Sequence, residues 1–162
     1  MDDPNLFRNH SPGDYKYFDN GSVKTAYGQL TLAPERIRDG KAQRNVGEDE
    51  RLTDDDGGHL IAALFGGAPD YRNLDAQNRN INRGAYRAQE RVWEKMLKEG
   101  CKVFVRVDTF KSNQSNRPDA YMAYAIYEYP DGRRNWDVFS ITNASKSEQM
   151  EWNDTLEGED FA

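Results

Sequence analysis

The chain has 162 residues, 36% hydrophobic and 31% charged, with a formal net charge of −6, which corresponds to one domain long enough to bury a core. Its mean hydropathy is −1.01, yet 3 Trp, 9 Tyr and 7 Phe argue against a disordered polymer. Composition argues against a membrane span, a signal peptide in the acidic opening Met1-Asp2-Asp3-Pro4-Asn5, a disulfide or cysteine-based zinc cage with Cys101 alone, and a dinucleotide fold without G-x-G-x-x-G.

In chain order, residues 1–20 read as an irregular lead-in of Pro, Asn, Asp and Gly with aromatics. Asp19-Asn20-Gly21 is a turn signal, and Ser22 to Leu32 partly alternates, which predicts a strand or hairpin. Residues 33–58 read as a polar loop with little core material, ended by the apolar run His59 to Phe65. From Gly84 the apolar residues Ala85, Ala88, Val92 and Met96 recur at three- and four-residue spacing, which predicts a helix near 84–99 with Asn82 at or just before its start and Gly100 as its stop. Val103, Val105 and Val107 alternate, so 102–110 is a strand. Ala120 to Tyr129 and Trp136 to Ile141 flank Pro130-Asp131-Gly132 and form a hairpin. The tail over 143–162 is acidic, and the whole of 1–162 reads as a single domain.

Charge is unevenly spread. Residues 71–111 carry ten Lys/Arg against five Asp/Glu, whereas 146–162 carry one Lys against six acids. A basic middle with an acidic tail fits a chain that meets a polyanion through one region, and equally fits ordinary solvated surface.

Chemistry concentrates in residues 54–90. Asp54-Asp55-Asp56-Gly57-Gly58-His59 sets carboxylates and two glycines before one of only two imidazoles, the other being His10. The acidic triplet lacks the spacing of a calcium loop. Between 73 and 82 lie four asparagines, Asn73, Asn78, Asn80 and Asn82, whose neutral carbonyl oxygens suit Mg²⁺ where a phosphate brings the negative charge, or serve as turn formers and helix caps. Asn82 and Glu90, eight apart, lie about 80° apart around a helix and roughly 12 Å along it, able to line one groove.

These motifs resemble the DNA/RNA non-specific endonucleases of the ββα-metal (His-Me finger) superfamily, in the branch that supplies C-terminal toxin domains in bacterial competition systems. Asp56-Gly57-Gly58-His59 matches D-R-G-H; Asn73-Leu74-Asp75-Ala76-Gln77 matches N-x-x-P-Q with Ala76 for Pro; Asn82-Arg83-Gly84-Ala85-Tyr86 matches N-x-G-x-W/Y; and Glu90 falls where the family has its acidic residue. The match covers roughly residues 22–142. It implies an α+β fold with a mostly antiparallel sheet and one main helix, His59 as general base, Asn82 as the direct ligand of Mg²⁺ (Mn²⁺ as substitute), Glu90 holding the ion's hydration, and Asn73 orienting the substrate or the site. It further implies hydrolysis of DNA, with RNA as an alternative substrate and the preference between them left open, delivery by a bacterial secretion system into a target-cell cytoplasm, and a cognate immunity protein as partner. The family's motif arginine is Gly57 here, so the charge that stabilises the phosphorane must come from Arg51, Arg44, Arg79 or Arg117, with Arg51 favoured. The same departure motivates the alternative of a catalytically weak or inactive nucleic-acid-binding module of the same fold.

Overall fold

The computed structural model describes residues 3–112 and 115–144. Within the lead-in, Leu6–Asn9 forms a short helix (α1) and Lys16–Asp19 a strand (β1), so this segment is more ordered than its composition suggested. The reason lies in its aromatics: Leu6 and Phe7 pack on Phe104 and Ile126 of the main sheet. A turn at Asp19-Asn20-Gly21 leads into β2 (Val23–Gln29). The Asp19 carboxylate accepts from the Gly21 amide, the Asn20 side chain accepts from Ser22 and Val23, and Gly21 takes a left-handed φ of 88°.

Residues 33–58 are not a bare loop. They contain α2 (Gly40–Asn45), capped by the Asp39 carboxylate accepting from Ala42, and most of β3 (Asp55–His59). Neither shows in the hydrophobic pattern, because α2 is under two turns long and β3 is built of Asp, Gly and His. β3 pairs antiparallel with β4 (Leu74–Asn78), which is buried at every position. The predicted helix appears as α3 (Tyr86–Lys98), entered through a π-helical turn over Ile81–Ala85 that contains Asn82. Gly100, with φ 89°, lets the chain turn off α3 while Gly100 and Cys101 donate back to Leu97 and Met96.

β5 (Lys102–Phe110), β6 (Ala120–Glu128) and β7 (Arg134–Thr142) follow, close to the sequence bounds. They join β1 and β2 in an antiparallel sheet of order β1-β2-β5-β6-β7. On its inner face Val103, Val105 and Val107 are sealed from solvent, together with Ala26, Ala123 and Ala125. Each such valine contributes roughly 1.5–3 kcal/mol on burial. Trp93 of α3 and Phe65 from the run after β3 belong to the same core, with ring centroids 6.5 Å apart. α3 and the β3–β4 hairpin therefore lie on one side of the large sheet. From residue 145 onward the acidic tail lies outside the described residues. Among the described residues, no helix is long and apolar enough to cross a membrane.

Candidate active site

The β3–β4 hairpin is fixed from beneath by buried charge. Asp75 of β4 pairs with Lys24 (3.1 Å) and Lys111 (3.4 Å), and Lys24 also donates to the carbonyls of Tyr71 and Leu74. Removing one partner from such a group strands the others and costs about 3–5 kcal/mol. At the other end of the hairpin, Arg117 grips the Asp55 carboxylate through two bonds of 2.7 and 3.0 Å and donates to the Asn143 carbonyl.

His59 ends β3. The chain beyond it is held by Asn73, which is fully buried; its oxygen accepts from the Ile61 amide, and its nitrogen donates to the Ile61 and Ala68 carbonyls. From α3, the Tyr86 hydroxyl donates to the Leu60 carbonyl at 2.6 Å. The residue after His59 is thus tied to the start of α3, one turn before Glu90. Asn82, in the π-helical turn, donates to Asp56 three residues before His59. His59 thus lies three residues after the carboxylate that holds Asn82, and its loop is tied to the helix that carries Glu90, while Asn73 is a clamp on the His59 loop.

Burial governs the titration of this junction. The His59 imidazole is pushed down to about 4 by desolvation, and then by the charge of Arg38. It is therefore neutral throughout the physiological range. Its Nε2 is sealed and has no hydrogen-bond partner among the described residues. Glu90 is raised to about 7 by desolvation, against the lowering effect of Arg87 and Arg38.

Arg38 is a candidate that sequence reasoning missed. It lies in the polar stretch before α2, outside every motif, and its charge reaches both His59 and Glu90. Arg51, favoured for that place, is instead a brace. Its guanidinium donates to the carbonyls of Gln43 (2.7 Å), Val46 (3.3 Å) and Asp55 (2.9 Å). Arg117 is spent on Asp55, Arg79 lies 3.8 Å from Asp56, and Arg44 is exposed on α2. The packing of α2 also accounts for Gly57. A β-carbon there would lie 2.2 Å from the Gln43 carbonyl oxygen and 2.5 Å from its Cα, so a side chain at 57 would displace α2. At Gly58 a β-carbon would meet the Gln77 side-chain oxygen at 2.2 Å. The glycine pair lets α2 and β4 close on β3, and α2 follows directly on Arg38.

Among the described residues no three His, Cys, Asp or Glu side chains gather to cage a metal. Asn82 keeps its amide oxygen when its nitrogen binds Asp56. That oxygen and a carboxylate such as Glu90 are hard ligands, of the kind that suit a largely hydrated divalent cation of the Mg²⁺ class.

Residues 4–126 match the family described as DNA/RNA non-specific endonuclease. Among curated proteins, the type VII secretion system protein EssD of Staphylococcus aureus is 37% identical over 128 residues; these cover 75% of this chain but 20% of that protein's length. Among solved structures, the Sda1 nuclease with bound zinc ion is similar with a TM-score of 0.61 at 16% identity, over 82% of this chain and 75% of that one. The EndoG/EndoGI complex, described as showing the mechanism of EndoG inhibition, gives 0.55 at 14% identity, over 86% and 78%. At these identities the structural likeness concerns the fold, and it agrees with the ββα-metal core of β3, β4 and α3 within a mostly antiparallel α+β architecture.

Proposed function

Because the chain belongs to the DNA/RNA non-specific endonuclease family, we propose that it hydrolyses nucleic-acid phosphodiesters with His59 as general base and Mg²⁺ held by Asn82 and Glu90. The observation that carries this reading is the neutral, largely enclosed imidazole of His59, three residues after the Asp56 that holds Asn82, with Arg38 charge bearing on both His59 and Glu90. The neutral imidazole takes the proton of an attacking water. Arg38 supplies the positive charge that the family's motif arginine supplies elsewhere, facing the negative charge that builds on phosphorus. When bound, the cation polarises the scissile phosphate and neutralises the departing 3′ oxygen. Asn82 offers it an amide oxygen, and Glu90 orders its hydration shell. Mn²⁺, with the same preference for oxygen ligands, should substitute.

The substrate is DNA in preference to RNA. Exposed basic residues of the 71–111 stretch, Arg91, Lys95 and Lys98 of α3 among them, support contact with a polyanion through its backbone rather than its bases. The likeness to a type VII secretion system protein supports delivery by a bacterial secretion system. In this reading residues 1–162 act as one toxin domain in a target-cell cytoplasm and are restrained in the producer by a cognate immunity protein. The catalytically silent alternative rests on Gly57, and the packing of α2 gives that glycine a structural reason independent of catalysis.

Plasmid DNA and RNA are incubated with wild type and His59→Ala, with Mg²⁺, with Mn²⁺ and with EDTA. Wild type should cleave only with a cation, and His59→Ala should lose about 10²–10⁴-fold. Near-wild-type cleavage by His59→Ala, or cleavage that survives EDTA, overturns the reading.

A further inference from the structure

The acidic side chain next to Asn82 has no role in the function described so far. Asp56 receives the Asn82 Nδ2 group on Oδ2 at 3.0 Å. Arg83 closes on the same carboxylate from a second direction, Nε to Oδ2 at 2.9 Å and Nη2 to Oδ1 at 3.1 Å, and Arg79 stands 3.8 Å from Oδ1. Both oxygens are therefore engaged with donors, and the side chain is only 16% exposed. An ionised carboxylate accepts and never donates. The face of the Asn82 carboxamide turned toward it must be the NH₂, and the carbonyl oxygen must then point away from Asp56. An asparagine with no such partner can present either end to a cation, and only the oxygen can bind one.

We propose that Asp56 is a positioning residue: its carboxylate fixes the Asn82 carboxamide with the oxygen outward, and so determines the affinity of the site for its divalent cation. The proposal rests on the reading of Asn82 as the ligand. It also assigns a reason for an acid at this place in the strand: an amide side chain there could pair with the Asn82 carboxamide in either orientation, and a donor-only group such as Arg83 would draw the carbonyl oxygen inward rather than outward.

Mn²⁺ binding by the full chain, without nucleic acid, is measured by electron paramagnetic resonance for wild type, Asp56→Asn, Asn82→Ala, Asn82→Asp and the Asp56→Asn/Asn82→Asp double variant. Circular dichroism reports on the fold of each. Asn82→Ala should lose binding; if it keeps wild-type affinity, the ligand reading itself fails. Asp56→Asn should bind Mn²⁺ about 10–100-fold more weakly, the usual cost of losing a group that orients a ligand. Asn82→Asp carries two equivalent oxygens and needs no orienting, so adding Asp56→Asn to it should not weaken binding further. Loss of Mn²⁺ affinity in Asn82→Ala with wild-type affinity in Asp56→Asn overturns the positioning role alone. An equal penalty for Asp56→Asn in the Asn82 and Asn82→Asp backgrounds also overturns it, since Asp56 would then support the site as a whole. If Asp56→Asn misfolds by itself, the double variant decides in the same way: binding matched to Asn82→Asp upholds the role, and weaker binding refutes it.

Discussion

Replacing Glu90 by Gln keeps the shape of the side chain and removes its charge. Glu90 is 7% exposed, and burial lifts its carboxyl from 4.5 to about 7 although Arg87 and Arg38 pull the other way. The folded chain thus binds this proton more tightly than the unfolded chain does. The stability linked to it is fully present below about pH 4.5 and is lost as pH rises through about 7. Above that range, keeping the carboxylate ionised in the fold costs on the order of 3 kcal/mol. Glu90→Gln has no such cost. In EDTA it should unfold in urea at nearly the same midpoint as wild type at pH 5, and be more stable by up to about 3 kcal/mol at pH 8. His59, shifted in the opposite direction, titrates alike in both proteins and cancels from the difference. Mg²⁺ should narrow the gap at pH 8, because a dication beside the carboxylate stabilises its charge. Cleavage should fall even as stability rises, the signature of a group kept at the expense of the fold. A stability difference that is the same at pH 5 and pH 8 would refute the reasoning.

Arg38→Ala should lower kcat by about 10²-fold with little change in thermal unfolding, since Arg38 is exposed and its charge acts on the site; a wild-type kcat would return the missing charge to another arginine. Gly57→Arg restores the family's motif residue but drives its β-carbon into the Gln43 backbone. It should destabilise the chain by about 2 kcal/mol or more and reduce cleavage, and a rise in activity would contradict the packing account. Asn73→Ala leaves the Ile61 amide and the Ile61 and Ala68 carbonyls without their partner. It should cost about 3 kcal/mol in urea unfolding, and a cost under 1 kcal/mol would remove Asn73 as a structural clamp.

Patterned segments were legible from residue types alone. The alternating valines of β5, the three-and-four spacing of α3, the Pro130-Asp131-Gly132 turn and the Asp19-Asn20-Gly21 turn each carry a local signal that burial on one face or a backbone constraint makes necessary. The candidate residues His59, Asn73, Asn82 and Glu90 were legible as motif positions, because their spacing reflects fixed places at the end of β3, in the turn before β4, in the π-helical turn and on α3. Local pattern could not reveal β3 and β4 as strands. Their stability comes from pairing with each other and from the buried Lys24–Asp75–Lys111 group, whose members are up to 87 positions apart. Nor could it distinguish one arginine from another. Every arginine carries the same charge in the sequence, and only the folded chain shows Arg51 and Arg117 consumed by carbonyls and a carboxylate while the charge of Arg38 bears on His59 and Glu90. Gly57 shows the same division from the other side. In sequence it is a missing arginine, and in the structure it is the gap through which α2 packs onto β3, a helix that begins two residues after Arg38.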